Sequence, residues 1–288
     1  MAIRASRFLA ITACCAALLP DGIRAESIDT EHIFAFMIGS DVGDAGEREF
    51  QSQTTARLGK DGGRYRAVGQ ELELEFVPAK DVRIELGSTF AAYDINGVAG
   101  FDDRRQLTWQ GASVDFRYRF LNRETAPFGF TFAIEHQLDK IDETTGAAAW
   151  HYGTEIALAF DREIVPDTTV VALNLLYQPE WTRFAATGEA DQESTIGAAV
   201  ALMTRLRPNI LFGGEARYFR KYEGIGLVQF AGEALFVGPT AYFQLSESSR
   251  LTVAWSFQAW GRAAGSSAAL DLVNFERQQA RVVFGFNF

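Results

Sequence analysis

Apolar and polar side chains alternate along the end of the chain. Phe286, Phe284, Val282 and Ala280 occupy every second position, and mostly polar residues lie between them. A period of two over nine residues predicts a β-strand with one apolar and one polar face. Such a strand, Phe275–Phe288, suits either a barrel wall that faces lipid or the last strand of a soluble sandwich.

The same alternation recurs along the chain and predicts about twelve strands separated by turn residues. An even number of strands is expected when both ends of a barrel wall lie on the same side of a membrane. The predicted strands are Arg48–Leu58, Tyr65–Phe76, Val82–Tyr93, Leu107–Leu121, Phe128–Leu138, Ala149–Glu163, Thr169–Phe184, Ser194–Leu206, Ile210–Arg220, Val228–Leu245, Leu251–Arg262 and Phe275–Phe288. Within Val228–Leu245, the pair Gly238-Pro239 predicts a bulge or a change of face.

The connections between these strands differ in length in a regular way. Every second connection is short and rich in turn residues, at 78–81, 122–127, 165–167, 207–209 and 246–249. Most of the others are longer and acidic or rich in glycine, such as 96–105, 139–148, 188–193 and 263–272. Tight periplasmic turns alternating with longer external loops are typical of outer-membrane barrels, and a sandwich gives no reason for them. The predicted fold is therefore an all-β, antiparallel up-and-down transmembrane β-barrel.

Charged residues fall on the polar face of the predicted strands, where they would line the lumen. One interpretation is that they bind or filter a polar solute. The other is that they form a mutually satisfied ion network in a narrow barrel, because three glutamates in alternate positions of one strand need basic neighbours. The candidate lumen residues are Glu71, Glu73, Glu75, Arg83, Glu85, Asp115, Arg117, Arg119, Glu135, His151, Glu155, Asp161, Arg205, Glu215, Arg217, Arg277 and Arg281.

The first 25 residues have the pattern of a cleaved export signal. Arg4 and Arg7 precede an apolar stretch at 8–19, and a small residue, Ala25, offers a cleavage point. Both cysteines of the chain lie in this segment, so the mature chain would contain no thiol. The predicted location is the cell outer membrane.

Residues 26–47 do not alternate and precede the first predicted strand. An apolar stretch at 32–38 runs into flexible acidic residues, which predicts a pre-barrel segment. This segment would fold against the periplasmic mouth or plug the lumen. The predicted organisation is thus a signal peptide at 1–25, this segment at 26–47 and a barrel at 48–288.

The charge of the chain excludes one class of partner. Removing residues 1–25 moves the formal charge from −10 to about −12, which argues against nucleic acid. The sequence has no phosphate-binding loop, no dinucleotide-binding glycine pattern and no cluster of His, Asp and Glu at metal-ligand spacing. No cofactor and no metal site are therefore predicted.

Catalysis would require a base beside a nucleophile, and histidine is scarce. Alternation places His136 on the outer face, where an amphipathic ring suits an interface. His151 faces the lumen near the external end, with Glu155 further inside. A hydrolase would need a Ser or Asp within hydrogen-bond reach of His151, and no serine lies beside it in sequence. The chain is therefore predicted not to be an enzyme.

Five stretches of the chain look familiar together: His32–Glu49, Thr125–His136, Leu175–Trp181, Arg207–Gly224 and Phe275–Phe288. They resemble a family of proteobacterial outer-membrane β-barrel proteins with no assigned activity. The last strand also resembles the sorting signal through which such barrels meet their assembly machinery. The resemblance implies a barrel and a location over nearly all of the mature chain, and it implies no catalytic or ligand residues.

The sequence leaves two functional hypotheses beside the hydrolase. The first is a channel for passive or facilitated passage of small hydrophilic solutes, and the second is a closed barrel with a structural or surface-interaction role. A continuous water path through the lumen would favour the channel. An interior filled by side chains and by residues 26–47 would favour the closed barrel. In both cases the expected partners are outer-membrane lipid and the barrel-assembly machinery, through Phe275–Phe288.

Overall fold

Twelve β-strands form one closed antiparallel barrel in a computed structural model that describes residues 27–288. Each strand pairs with its neighbours in sequence, and β1 closes the barrel by pairing with β12. The strands are β1 (Arg48–Leu58), β2 (Arg64–Ala79), β3 (Val82–Asn96), β4 (Arg104–Leu121), β5 (Gly129–Ile141), β6 (Ala148–Val165), β7 (Thr169–Phe184), β8 (Ala190–Arg207), β9 (Ile210–Glu223), β10 (Gln229–Gln244), β11 (Ser249–Ala263) and β12 (Gln278–Asn287). No helix within residues 27–288 is long and apolar enough to cross a membrane.

The predicted all-β fold, the antiparallel order and the number of strands are confirmed. The bounds of β1 and β7 are as predicted, and most other strands extend by up to a few residues. The last strand begins at Gln278 rather than Phe275. The reason is that residues 264–277 fold inward as a loop, and Phe275 there lies against two lumenal aromatic rings, Phe219 and Phe236.

The two ends of the barrel differ in the length of their connections. We call the end at which β1 begins and β12 ends the terminal end, and the opposite end the loop end. Connections at the terminal end include the tight 80–81 and 208–209, while the loop end carries 97–103 and the long 264–277. The connection 122–128 is an exception, since it is as long as most of those at the loop end.

The prediction of a bulge or a change of face at Gly238-Pro239 is wrong. The register of β10 stays constant across these two residues against both neighbours. The bulges of β10 lie nearer the loop end, between Leu235 and Phe236 against β11 and between Phe230 and Gly232 against β9. The missing N–H of Pro239 is therefore accommodated within an unshifted register.

Apolar and polar residues separate onto the two faces of the wall. In β11, the side chains of Val253, Trp255 and Phe257 are exposed on the outer surface, while Thr252 and Ser256 between them are buried in the interior. Phe257 is 50% exposed and Leu86 is 49% exposed on this face. Soluble proteins seldom expose large apolar side chains in a continuous belt. This outer belt is what contact with lipid would require.

A charge placed in the outer belt tests that contact. Leu72 points outward near the middle of β2, and Leu206 points outward at the terminal end of β8. In lipid vesicles, Leu72→Arg should lower the free energy of unfolding by about 2–4 kcal/mol, and Leu206→Arg by about 0–1 kcal/mol. Denaturant titration of the refolded barrel measures both, and equal losses at the two positions would contradict a lipid-facing belt.

Candidate functional site

Residues 27–47 lie inside the terminal half of the barrel, and we call this segment the plug. Its firmest anchor is the buried carboxylate of Asp161 on β6. One oxygen of Asp161 accepts the Ser40 N–H at 2.7 Å and the Thr30 hydroxyl at 2.6 Å, and the other accepts the Ser40 hydroxyl at 2.8 Å. Gly129 on β5 permits this approach, because a Cβ there would lie 1.9 Å from Ser40 Oγ.

The tip of the plug reaches the middle of the lumen. The backbone N–H groups of Ala35 and Phe36 donate to the two oxygens of Glu215 on β9, at 2.9 and 3.1 Å. The ring of Phe36 lies beneath two guanidinium groups, with Arg217 3.9 Å and Arg281 4.7 Å from its centroid. Cation–π contacts and charge-assisted hydrogen bonds therefore hold the tip against β9 and β12.

Side chains of the wall satisfy much of the plug backbone, and within residues 27–47 only Gly46 and Glu47 form backbone hydrogen bonds with a strand, at Val77 of β2. Asn174 on β7 both accepts the Ile38 N–H and donates to the Ile38 carbonyl, each at 2.9 Å. Thr252 on β11 donates to the carbonyl of His32 at 2.8 Å. Apolar side chains of the plug pack on small and aliphatic residues of β7–β9, and this buried group contains Ile28, Ile33, Phe34, Met37, Val170, Ala172, Ala199, Ala201, Met203 and Leu211.

A buried group of charged side chains joins the base of the plug to the wall, and we call it the terminal cluster. Arg83 on β3 is 1% exposed and lies at its centre, 2.7 Å from Glu31 of the plug and 3.1 Å from Glu75. Continuous contacts of 4 Å or less link its members, which are Glu31, His32, Glu49, Glu75, Arg83, Glu85, Asp115, Arg117 and Arg250.

Burial shifts the protonation of the plug side chains in this region. It raises the pKa of Glu31 to about 8, although Arg83 opposes the shift, and it raises the pKa of Asp29 to about 7. Burial also lowers the pKa of His32, and the neighbouring positive charge of Arg250 acts in the same direction. His32 is therefore neutral, with an unprotonated ring nitrogen.

Above the plug, a cavity of about 440 Å³ extends to the loop end. Carboxylates of β2, β5 and β6 form one side of it: Glu71, Glu73, Glu135 and Glu155. Each accepts a hydrogen bond from a neutral glutamine amide, and these partners are Gln53, Gln51, Gln137 and Gln178. Arg217 and Arg281 lie on β9 and β12, on different strands from these four carboxylates.

The loop end narrows the cavity without sealing it. Arg57 on β1 pairs with Glu143 of the 142–147 loop and approaches Glu276 of the 264–277 loop at 4.0 Å. Tyr65 donates to the carbonyl of Thr144 at 2.9 Å. The side chain of Glu143, which lines the cavity, is 46% exposed, so the cavity meets solvent at this end.

The structure brings most of the candidate lumen residues together and separates a few. Those that line the cavity are Glu71, Glu73, Arg83, Glu85, Arg117, Glu135, Glu155, Arg217 and Arg281. Those that contact the plug or its surroundings are Glu75, Asp115, Arg119, Asp161 and Glu215. Arg205 lies half-buried near the terminal end of β8, and Arg277 is exposed at the loop end before β12.

The histidines of the wall occupy the faces that alternation predicts. His136 points outward, where it contacts Thr154 Oγ1 at 3.0 Å and the Tyr152 hydroxyl at 3.1 Å. His151 is buried in the lumen near the loop end, and its Nδ1 lies 2.9 Å from Thr182 Oγ1. This hydroxyl partner is a threonine rather than the Ser or Asp that the hydrolase hypothesis requires.

Sequence reasoning missed the residues of the plug that meet the wall. Glu31 is separated by 52 positions from Arg83, and Ser40 by 121 positions from Asp161. No local pattern marks such pairs. A signal did exist in the acidic residues of the plug, because carboxylates entering a lumen with inward-facing arginines must find them as partners.

Comparisons with known proteins give a family and a fold. A family model described as "Family of unknown function (DUF6662)" matches residues 26–288. The COG4313 outer membrane channel from Pseudomonas putida F1 aligns with a TM-score of 0.59 at 9% identity, over 86% of this chain and 98% of that one. The beta domain of the Bordetella autotransporter Brka aligns with a TM-score of 0.52 at 13% identity, over 85% of this chain and 100% of that one. No curated protein matches in sequence.

These likenesses establish the outer-membrane barrel fold and no more. The two solved structures bear different titles, one a channel and the other an autotransporter domain. The same wall therefore serves different purposes, and function has to be argued from the interior of this barrel.

Removing the main anchor should loosen the plug. Asp161→Ala leaves three donors of the plug without their acceptor and removes one of the two carboxylates that pair with Arg123. Amide hydrogen exchange within residues 27–47 should become at least about tenfold faster, equivalent to about 1.4 kcal/mol. The exposed Asp191→Ala on β8 should leave the rate unchanged. Unchanged exchange in Asp161→Ala would contradict this role.

Proposed function

Since the chain belongs to this family of unknown function, we propose from its interior that it is an outer-membrane channel closed at rest by its own plug. Residues 1–25 direct export, the outer belt lies in the outer membrane, and the terminal end faces the periplasm. The loop end then opens to the exterior. Small hydrophilic solutes enter the cavity from outside and pass when the plug leaves its seat.

The observation that carries this proposal is the division of the interior along the barrel axis. A polar cavity of about 440 Å³ opens at the loop end and reaches down to Arg83, Glu85 and Arg117 beside the plug, and a separate segment of chain fills much of the terminal half. The plug is held mainly by side chains of the wall, and within residues 27–47 only Gly46 and Glu47 form backbone hydrogen bonds with a strand, at Val77 of β2. The residues before Gly46 can therefore move without breaking the strand pairing of the barrel.

The lining of the cavity suits hydrophilic solutes. Amides such as Gln53 and Gln137 both donate and accept hydrogen bonds, and the separated carboxylates and guanidinium groups orient dipolar molecules. Of the candidate lumen residues, we assign solute contact to Glu71, Glu73, Glu135, Glu155, Arg217 and Arg281. A cavity of this volume accommodates a small organic molecule with its first water shell.

A second candidate function follows from the same filled terminal half. If the plug never leaves, the molecule is a closed barrel whose cavity opens only to the exterior, with a structural or surface role. The number of buried polar anchors on the plug favours this alternative. Both candidates share the outer-membrane lipid and the assembly machinery that would recognise β12 as partners.

A planar bilayer distinguishes the two. The mature chain should show rare, brief conductance steps, and a chain lacking residues 26–40 should conduct continuously because its terminal half is then unobstructed. Because the mature chain would contain no cysteine, the plug can also be fixed to the wall by one engineered disulfide, in the double variant Ser40→Cys with Gly129→Cys. The two Cβ atoms would lie 2.8 Å apart before relaxation, and a disulfide needs about 1 Å more. We call this disulfide the lock.

The same double variant serves as its own control, because its conductance can be compared in the oxidised and the reduced state. Oxidised, it should abolish the steps of the mature chain, and reduction should restore them. The single variant Ser40→Cys should not respond to reduction. If the deletion variant folds, as heat-modifiable migration in gels reports, and still shows no conductance, the channel is excluded and the closed barrel remains.

A further inference from the structure

The terminal cluster contains more negative than positive charge. It holds five carboxylates, from Glu31, Glu49, Glu75, Glu85 and Asp115, against three guanidinium groups, from Arg83, Arg117 and Arg250. The cluster therefore has more carboxylates than guanidinium groups to pair with them. Buried charge of one sign is costly unless something neutralises it.

Three members of the cluster converge on one point. Ligand atoms of Glu31, His32 and Glu75 all lie within 4.8 Å of one another. Two of these residues belong to the plug, and the third belongs to β2. Glu31 Oε2 is 3.5 Å from His32 Nε2, too far for a good hydrogen bond but a normal separation for two ligands of one ion.

One of these ligand atoms lacks a hydrogen bond. Glu75 is 2% exposed, and its Oε2 atom is buried and accepts no hydrogen bond. Arg83 Nη2 lies 3.1 Å away and compensates part of the charge without hydrogen-bond geometry. Such an orphaned carboxylate oxygen inside a protein calls for a further partner.

We propose that Glu31, His32 and Glu75 bind one divalent transition-metal ion that ties the base of the plug to the barrel wall. A divalent ion adds positive charge where the carboxylates of the terminal cluster outnumber its guanidinium groups. It also gives the orphaned oxygen of Glu75 its partner. Glu49 Oε2, 3.6 Å from His32 Nε2, stands next to the site and can join the coordination.

The ligand set indicates the kind of metal. One imidazole nitrogen with two or three carboxylate oxygens suits Zn²⁺ and its neighbours in the first transition row. Calcium prefers six to eight oxygen ligands, which the terminal cluster does not offer around this point. Zn²⁺ is therefore the appropriate probe. The site requires only the folded barrel with its plug and would persist in a barrel that conducts nothing.

Metal binding by the mature chain tests the site directly. Protein refolded in detergent with chelator, then dialysed against Zn²⁺, should retain one ion per chain. Its X-ray absorption spectrum should show nitrogen and oxygen ligands at about 2.0–2.1 Å. Zn²⁺ should also slow amide exchange of residues 27–47, since it joins the plug to β2.

Matched variants identify the ligands. Glu31→Gln, His32→Gln and Glu75→Gln should each weaken Zn²⁺ binding at least about tenfold. His136→Gln, on the outer face, and Glu124→Gln, exposed at the terminal end, should bind like the unaltered chain. Heat-modifiable migration establishes that each variant is folded.

Two results would overturn the site. One is the absence of stoichiometric Zn²⁺ on the folded mature chain, which would mean that protons neutralise the terminal cluster. The other is equal binding by His32→Gln and the unaltered chain. Loss of binding in His136→Gln would likewise assign the metal to the outer surface.

Discussion

Every charge that the strands turn inward must find a partner inside a narrow barrel, and this constraint governs the rest of the structure. Lipid contact leaves the interior as the only place for charged residues in the middle of a strand. Arg83 illustrates the solution, since it is almost completely buried and contacts three carboxylates. One of these, Glu31, comes from the plug rather than from the wall. The wall alone therefore does not complete its own charge network, and the plug is a structural part of the interior.

The plug depends on that constraint in turn. The plug has no regular secondary structure that would satisfy its backbone hydrogen bonds. The wall must therefore supply donors and acceptors at fixed positions along the barrel axis. Asp161, Asn174 and Glu215 do so from three different strands. Each is an inward-facing polar residue whose cost of burial is offset by two or more bonds to the plug. The same residues that look like solute contacts from the alternation alone thus divide into two groups, those that hold the plug and those that remain open to the cavity.

The sequence predicted the wall well because its information is local. Lipid enforces a period of two, and turns carry their own residues, so β1 and β7 could be bounded correctly. The start of β12 could not, because Phe275 is an apolar residue that packs with a loop against lumenal rings instead of continuing the strand. The positions of the bulges in β10 depend on how the neighbouring strands twist, and no residue type in the sequence indicates these positions. The interior contacts of the plug join residues far apart in sequence, and the sequence indicates only in general that acidic residues entering the lumen must meet inward-facing arginines.

The contacts of the plug differ along its length, which bears on how the proposed channel could open. At the tip, cation–π contacts of Phe36 contribute about 0.5–2 kcal/mol each, and the tip backbone donates two hydrogen bonds to the buried Glu215. At the base, Asp161 and the terminal cluster make charge-assisted bonds in full burial, and losing one partner of such a pair costs about 3–5 kcal/mol. Release of the tip alone would leave the terminal half filled, because the base stays anchored. In the proposed channel, opening therefore depends on the charges around Glu31 and Asp161 rather than on the cavity that a solute enters.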